Sequence, residues 1–196
     1  VFLKFPYQQL KWFRYLNRAD SIIAVSNQLK KDFARHFFVD ESKIKYIPNG
    51  IDINLFVPGL RPYQLSRQHE ISEKDKIILS IAHMTKQKGF QVLIKALNKV
   101  VARDKRVKLV LVGDGDYRYS LEELVNRLGL NRHVIFTGFV SNEHTVHYYN
   151  LADLFIMPTI RIEGFPFVLA EAMACRKPVI ASRIGGIPSA IDNGIN

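Results

Sequence analysis

Cysteine is almost missing from this 196-residue chain, where Cys175 stands alone. One thiol closes no disulfide and supplies no cysteine set for a structural metal, so a stapled secreted scaffold is excluded. Long apolar runs are missing too: none approaches the ~20 residues that a helical membrane span requires. The opening VFLKFPYQQLKWF lacks the basic, apolar, small-residue order of a signal peptide. No G-x-G-x-x-G follows the first long strand pattern, and the Walker A glycines do not precede Lys88. Acid is the scarcer charge, with 18 Asp and Glu against 28 Lys and Arg, a net +10. That excess divides about evenly on either side of Lys76, so there is no basic tail. Diffuse positive charge suits an anionic ligand or peripheral contact with an anionic membrane. Clustered Lys and Arg with exposed aromatics would mark a nucleic-acid partner, and none is expected here.

The hydrophobic content of 47% and charged content of 23% fit a globular protein with a real core. KIILSIA (76–82), VKLVLVG (107–113), HVIFTG (133–138), DLFIMP (153–158) and PVIAS (178–182) are short, nearly continuous apolar runs. Such runs read as strands buried on both faces of a parallel sheet. Amphipathic helical patterns lie between them. FQVLIKALNKVVAR places Val92, Leu93, Ala96, Leu97, Val100 and Val101 on one stripe; SLEELVNRLGL does the same with Leu121, Leu124, Val125 and Leu128, and Gly129 stops it. The expected class is α/β, a Rossmann-like parallel sheet with helices on both faces.

The first part reads differently. LKWFRYLNRA is a helix pattern, DSIIAVS a short buried strand, and SNQLKKDFARHF a helix capped by Ser26 or Asn27. Residues 1–48 are expected to be the end of a preceding α/β domain, 49–75 a hinge and connector, and 76–196 the ligand-binding domain. The opening helix mixes Phe5, Tyr7, Trp12, Phe13 and Tyr15 with Lys4, Lys11, Arg14 and Arg18. Core packing with a basic outer face is the favoured reading, and a membrane-surface helix the other. The chain begins at Val1 without a methionine, which reads as a fragment.

In an open α/β sheet, ligands bind beyond the carboxyl ends of the strands. The loops leaving these strands are HMTKQKG, GDGD, GFVSNE, TIRIEGFP and RIGGIP, and they hold nearly every glycine of the region. Glycine lets the backbone approach a ligand, and helix N-termini add partial positive charge, so this face is suited to an anion. Taken singly, GDG is a tight turn and GFVSNE a loop with Ser141 as N-cap and Glu143 in the first turn. Lys88 before Gly89 and a helix can reach a phosphate, or be a solvated surface lysine. RIEGFPFVLAE is more specific. Glu163 and Gly164 lie in a loop, while Glu171 comes about five residues into the next helix, among Phe167, Val168, Ala174 and Cys175. An unpaired buried carboxylate there costs several kcal/mol or protonates. Its partner is either a pair of ligand hydroxyls or a Lys or Arg of the same domain.

These residues resemble a family. Glu163 to Glu171, followed by AMACRKPVIASRIGGIP, is similar to the E-x7-E segment of retaining GT-B glycosyltransferases of family 4 (glycosyl transferases group 1). ADSIIAVSNQLKKDF, IPNGIDINLF, ILSIAHMTKQKGFQVLIKAL, LVLVGDGD, VIFTGFVSNE and YNLADLFIMPT continue the resemblance in order over essentially the whole chain. It implies the C-terminal half of a GT-B fold, two Rossmann-like domains facing a cleft, preceded here by the tail of the first. It implies transfer of a sugar from a nucleotide-diphosphate donor to a glycan, lipid or small-molecule acceptor with retention of configuration. The other class kept in view is a non-catalytic nucleotide-sugar-binding homologue acting as regulator or scaffold. By resemblance Glu171 meets the donor ribose, Glu163 the donor sugar and reacting centre, and the backbone of Gly164 and Phe165 the sugar or diphosphate. Lys88 neutralises the diphosphate, while Gly113 and the Phe139–Val140 backbone line the nucleotide pocket. His83 departs from the family's usual arginine and is still expected to face the diphosphate. No cofactor or metal is expected, the location is expected to be cytoplasmic, and the fragment alone is expected to be inactive.

Overall fold

A computed structural model describes residues 6–191 and 193–194. They form two compact units, one of residues 6–50, 162–166, 183–191 and 193–194, the other of residues 51–161 and 167–182.

In the first unit, helix α1 (Pro6–Arg18) precedes strand β1 (Ile22–Ala24), helix α2 (Asn27–Phe37) and strand β2 (Ile44–Tyr46). The two strands pair in parallel, Ile22 opposite Ile44. Ala24, Phe37, Val39 and Ile44 form a small core, with Leu16 and Phe33 against it. The Ser26 hydroxyl accepts from Leu29 N at 3.1 Å and caps α2, satisfying one of the free N–H groups of its first turn. Of the basic aromatic face expected on α1, Lys4 and Phe5 lie outside the described residues. Trp12, Phe13 and Tyr15 are exposed, so the core-packing reading is met by Leu16 and not by these rings.

The second unit holds helix α3 (Tyr63–Gln68), strand β3 (Lys76–Ile81), helix α4 (Phe90–Val101), strand β4 (Val107–Val112), helix α5 (Arg118–Arg127), strand β5 (Val134–Gly138), helix α6 (Asn142–Leu151), strand β6 (Leu154–Met157), helix α7 (Phe167–Ala174) and strand β7 (Val179–Ala181). The strands form one parallel sheet in the order β5-β4-β3-β6-β7. Ile77, Leu79, Leu109, Val110, Leu111 and Phe155 are fully buried, as strands covered on both faces require.

Helix α4 is rotated from the expected stripe. Phe90, Leu93, Ile94, Leu97 and Val101 are buried, while Val92 and Val100 are exposed. The helix starts at Phe90, and its largest side chains take the sheet-facing stripe, which turns the smaller Val92–Val100 ridge outward. Helix α5 follows expectation, with Leu121 and Val125 buried, and Gly129 in the left-handed region ends it.

The connector is fixed to this unit by side-chain hydrogen bonds. Asn150 accepts from Gly59 N at 2.9 Å and donates to Val57 O at 3.1 Å. Phe56 is buried with its ring 5.9 Å from that of Tyr149. Asp153 accepts from Ile77 N at 2.7 Å, so the acid of the LADLF stretch starts strand β3.

Candidate functional site

Strand β3 lies between β4 and β6. The chain thus turns to the other side of β3 after finishing β4 and β5, and at such a switch point the loops part and leave a crevice at the carboxyl ends of the strands.

A cavity of about 450 Å³ lies at the carboxyl ends of β3, β4 and β5, walled by the loops that leave them, with His83, Gly113, Asp114, Gly115, Phe139 and Val140 in its lining. Four sequence-predicted residues, His83, Gly113, Phe139 and Val140, thus come together. Main-chain bonds hold the loops: Met84 N donates to Asp114 O at 2.8 Å, and Gly113 N to Gly138 O at 2.9 Å. Gly113 has φ 125°, and a Cβ there would strike the Ala82 carbonyl, so only glycine lets the two loops approach this closely. Asp114 is already answered within the protein. Its carboxylate accepts from Gly115 N at 2.8 Å and from Arg118 Nη1 at 2.9 Å, which holds its pKa below the usual range. Val140 also lines a second cavity of about 640 Å³ with Tyr63, His144 and His147. Ser141 does not cap α6 through its side chain; the hydroxyl pairs with His144 Nδ1 at 2.7 Å instead.

Lys88 ends a single 3-10 turn, Lys86–Lys88, before α4. That turn is fixed from the loop after β6: Ile160 N donates to Gln87 O at 2.9 Å, and the buried Thr159 hydroxyl to the same oxygen at 3.3 Å. Gly89, at φ 77°, passes so close to Pro158 that a Cβ would strike its carbonyl. As the residue before α4 it offers no side-chain cap, so the first N–H groups of a 12-residue helix keep their capacity for an anion.

Glu171 is buried on α7, as expected, but neither expected partner class explains what holds it within the protein. The Tyr149 hydroxyl donates to its Oε2 at 2.7 Å. Among the described residues no lysine or arginine pairs with it. Burial raises its pKa, and the Tyr149 hydrogen bond opposes that rise. Spacing did not reveal Tyr149, although a tyrosine on the buried side of a helix always needs an acceptor, and HYYNLAD offered that signal. Neither Lys88 nor Glu171 lines the 450 Å³ cavity.

Glu163, Gly164 and Phe165 belong to the first unit. The Glu163 carbonyl accepts from Gly186 N at 2.7 Å, and the Phe165 carbonyl from the Asn49 amide at 2.8 Å. A Cβ on Gly164 would come within 2.8 Å of Val25 Cγ2. Asn49, placed by the sequence only at the start of the hinge, thus anchors the segment that carries Glu163. Among the described residues no helix is long and apolar enough to cross a membrane.

Known proteins are similar to this chain in sequence and in fold. The sequence profile of the glycosyl transferases group 1 family matches residues 64–196, and that of glycosyltransferase family 4 matches residues 2–55. An uncharacterized glycosyltransferase of Methanocaldococcus jannaschii is 36% identical over 189 residues, covering 93% of this chain and 47% of that protein. A GDP-mannose-dependent alpha-(1-6)-phosphatidylinositol monomannoside mannosyltransferase of Mycolicibacterium smegmatis is 29% identical over 184 residues, 91% of this chain and 48% of its own. The crystal structure of Anabaena HepE in complex with UDP superposes with a TM-score of 0.88 at 28% identity, over 98% of this chain and 53% of HepE. The chain spans about half the length of the curated relatives it matches. With a parallel five-stranded sheet flanked by helices, as in GT-B glycosyltransferases, this chain belongs to the glycosyl transferases group 1 family.

Proposed function

We propose that this chain holds the nucleotide-diphosphate sugar of a retaining glycosyltransferase. The observation that carries the reading is Glu171, a buried carboxylate answered among the described residues by a single neutral hydroxyl. A buried acid of this kind costs stability. Neighbouring ribose hydroxyls are the donors that make such a cost useful.

Each remaining residue takes a role suited to its chemistry. Gly113 and the Phe139–Val140 backbone receive the nucleotide. Lys88, the uncapped N–H groups of α4 and His83 offset the charge that grows on the departing diphosphate. Electrostatic groups fixed before the reaction stabilise that charge without reorganising. Glu163 serves the sugar as positive charge develops at its anomeric carbon, and the backbone at Gly164 and Phe165 supports it. Relatives differ in what their names specify: the mycobacterial enzyme uses GDP-mannose, whereas HepE has been crystallised with UDP and with UDP-glucose.

The test is a melting-temperature panel with UDP-, GDP- and ADP-sugars. A ligand that binds only the folded state raises Tm by mass action, by RT ln(1 + [L]/Kd), or about 2.7 kcal/mol at a hundredfold excess over Kd. One base class should raise Tm, and Lys88→Ala should lose the diphosphate's increment while keeping the nucleoside's. No shift with any donor would refute the reading.

A further inference from the structure

We infer that Tyr149 is a positioning residue for the nucleotide: its hydroxyl fixes one oxygen of Glu171 and leaves the other to accept from the nucleotide's ribose hydroxyls. The inference rests on the ribose role proposed above for Glu171.

Tyr149 is wholly buried. Its ring lies between Phe56, at 5.9 Å and 76°, and Phe155, at 5.7 Å and 56°, so the ring has one place to be. From there the hydroxyl reaches two acceptors, Glu171 Oε2 at 2.7 Å and Val168 O at 3.2 Å. One proton serves the shorter, charge-assisted bond best. The fold itself does not need the acid, because the Val168 carbonyl alone would satisfy a buried tyrosine.

The other carboxylate oxygen has a distinct environment. The buried side-chain polar atoms without a partner among the described residues are Arg61 Nε and Gln91 Oε1. Oε1 of Glu171 is not one of them, and the Tyr149 bond goes to Oε2, so Oε1 is reached from outside. With Oε2 tied, the terminal torsion of Glu171 is set before any ligand arrives, and rotamer entropy is not lost on binding. Cys175, just past the end of α7, adds no second charge, because burial pushes its thiol up to about 11. Lys177, lowered by its own burial, acts on Cys175.

Calorimetry compares UDP and GDP, whichever the full chain binds more tightly, with its 2′,3′-dideoxy counterpart. The unaltered chain should prefer the ribonucleotide by about 10-fold or more, the size expected for bonds to a charged acceptor. Tyr149→Phe should lose most of that preference while binding the dideoxynucleotide within about 2-fold of the original. Its acid limb of binding should also move to higher pH, since a lost donor to the carboxylate raises its pKa. Equal weakening of both ligands, or an unchanged preference, would overturn the inference. Should Tyr149→Phe not fold, site-specific 3,5-difluorotyrosine at 149 keeps the shape and strengthens the donor. Its acid limb should move to lower pH, and an unmoved limb overturns the inference. Glu171→Gln separates the two claims. If it keeps the ribose preference, the ribose role itself fails; if it loses the preference while Tyr149→Phe retains it, only the positioning role of Tyr149 fails.

Discussion

Two glutamates eight residues apart in the sequence belong to different units and have different anchors. Glu163, in the first unit, is fixed through its main chain, whose carbonyl accepts from Gly186 N at 2.7 Å. Glu171, in the second, is fixed through its side chain by the Tyr149 hydroxyl at 2.7 Å. The glycine turn at Gly186 sets where the Glu163 backbone sits. The Tyr149 hydroxyl sets where the Glu171 carboxylate sits. That difference fits the proposed roles, an acid that responds to charge at the sugar and an acid that accepts from hydroxyls whose positions do not change.

The largest effect should come from the acid held by its backbone. Glu163→Gln in the full-length enzyme should lower kcat by about 10²–10³, as removal of one electrostatic partner of a transition state does, while nucleotide affinity stays within about 2-fold. Steady-state transfer assays beside calorimetry with the bare nucleotide read both quantities. Unaltered transfer would end the distinction between the two acids. Next in size is the backbone anchor. A Cβ at Gly186 would strike the Gly164 carbonyl and crowd Ser26, whose own hydroxyl caps α2. Gly186→Ala should therefore destabilise the first unit by ~1–3 kcal/mol, the usual size of overpacking. Chemical denaturation checks it, and an unmoved midpoint would show that the glycine turn does not hold Glu163.

What the sequence made legible follows the same division. Backbone devices leave glycines at fixed places, so the loops carrying Gly89, Gly113, Gly164 and Gly186 could be named before any coordinates. Strands β3 to β7 could be named too, because continuous apolar runs admit few readings. The Tyr149–Glu171 bond left no such mark. Its partners are 22 residues apart on α6 and α7, and only the packing of those helices brings them together. The orientation of α4 was missed for a related reason: Val92 and Phe90 are equally apolar, and the sheet decides which faces inward. Asn49 showed only as the start of a hinge, since a side chain that bonds a distant main chain resembles any polar residue at a turn.

The smallest effect tests the cost of the acid held by its side chain. Burial raises the Glu171 pKa above the ordinary carboxylate range. A carboxyl raised on folding binds its proton more tightly in the native state, so its contribution to stability is fully present below the unfolded pKa and lost as pH rises through the folded one. At neutral pH the ionised acid is thus the less stable form, and Glu171→Gln, which can still accept from Tyr149, should melt higher than the original chain. The gain should be small, no more than about 2–4 °C, the shift ~1 kcal/mol produces at this chain length. It should shrink toward zero as pH falls below the unfolded pKa, where both side chains are neutral. Ribonucleotide affinity should fall in the same variant, because an amide oxygen is a weaker acceptor than a carboxylate. Melting curves from pH 4 to pH 8 decide the matter. A Tm that falls at neutral pH would mean that the carboxylate stabilises the fold, and the argument that this acid is retained for a ligand would lose its basis.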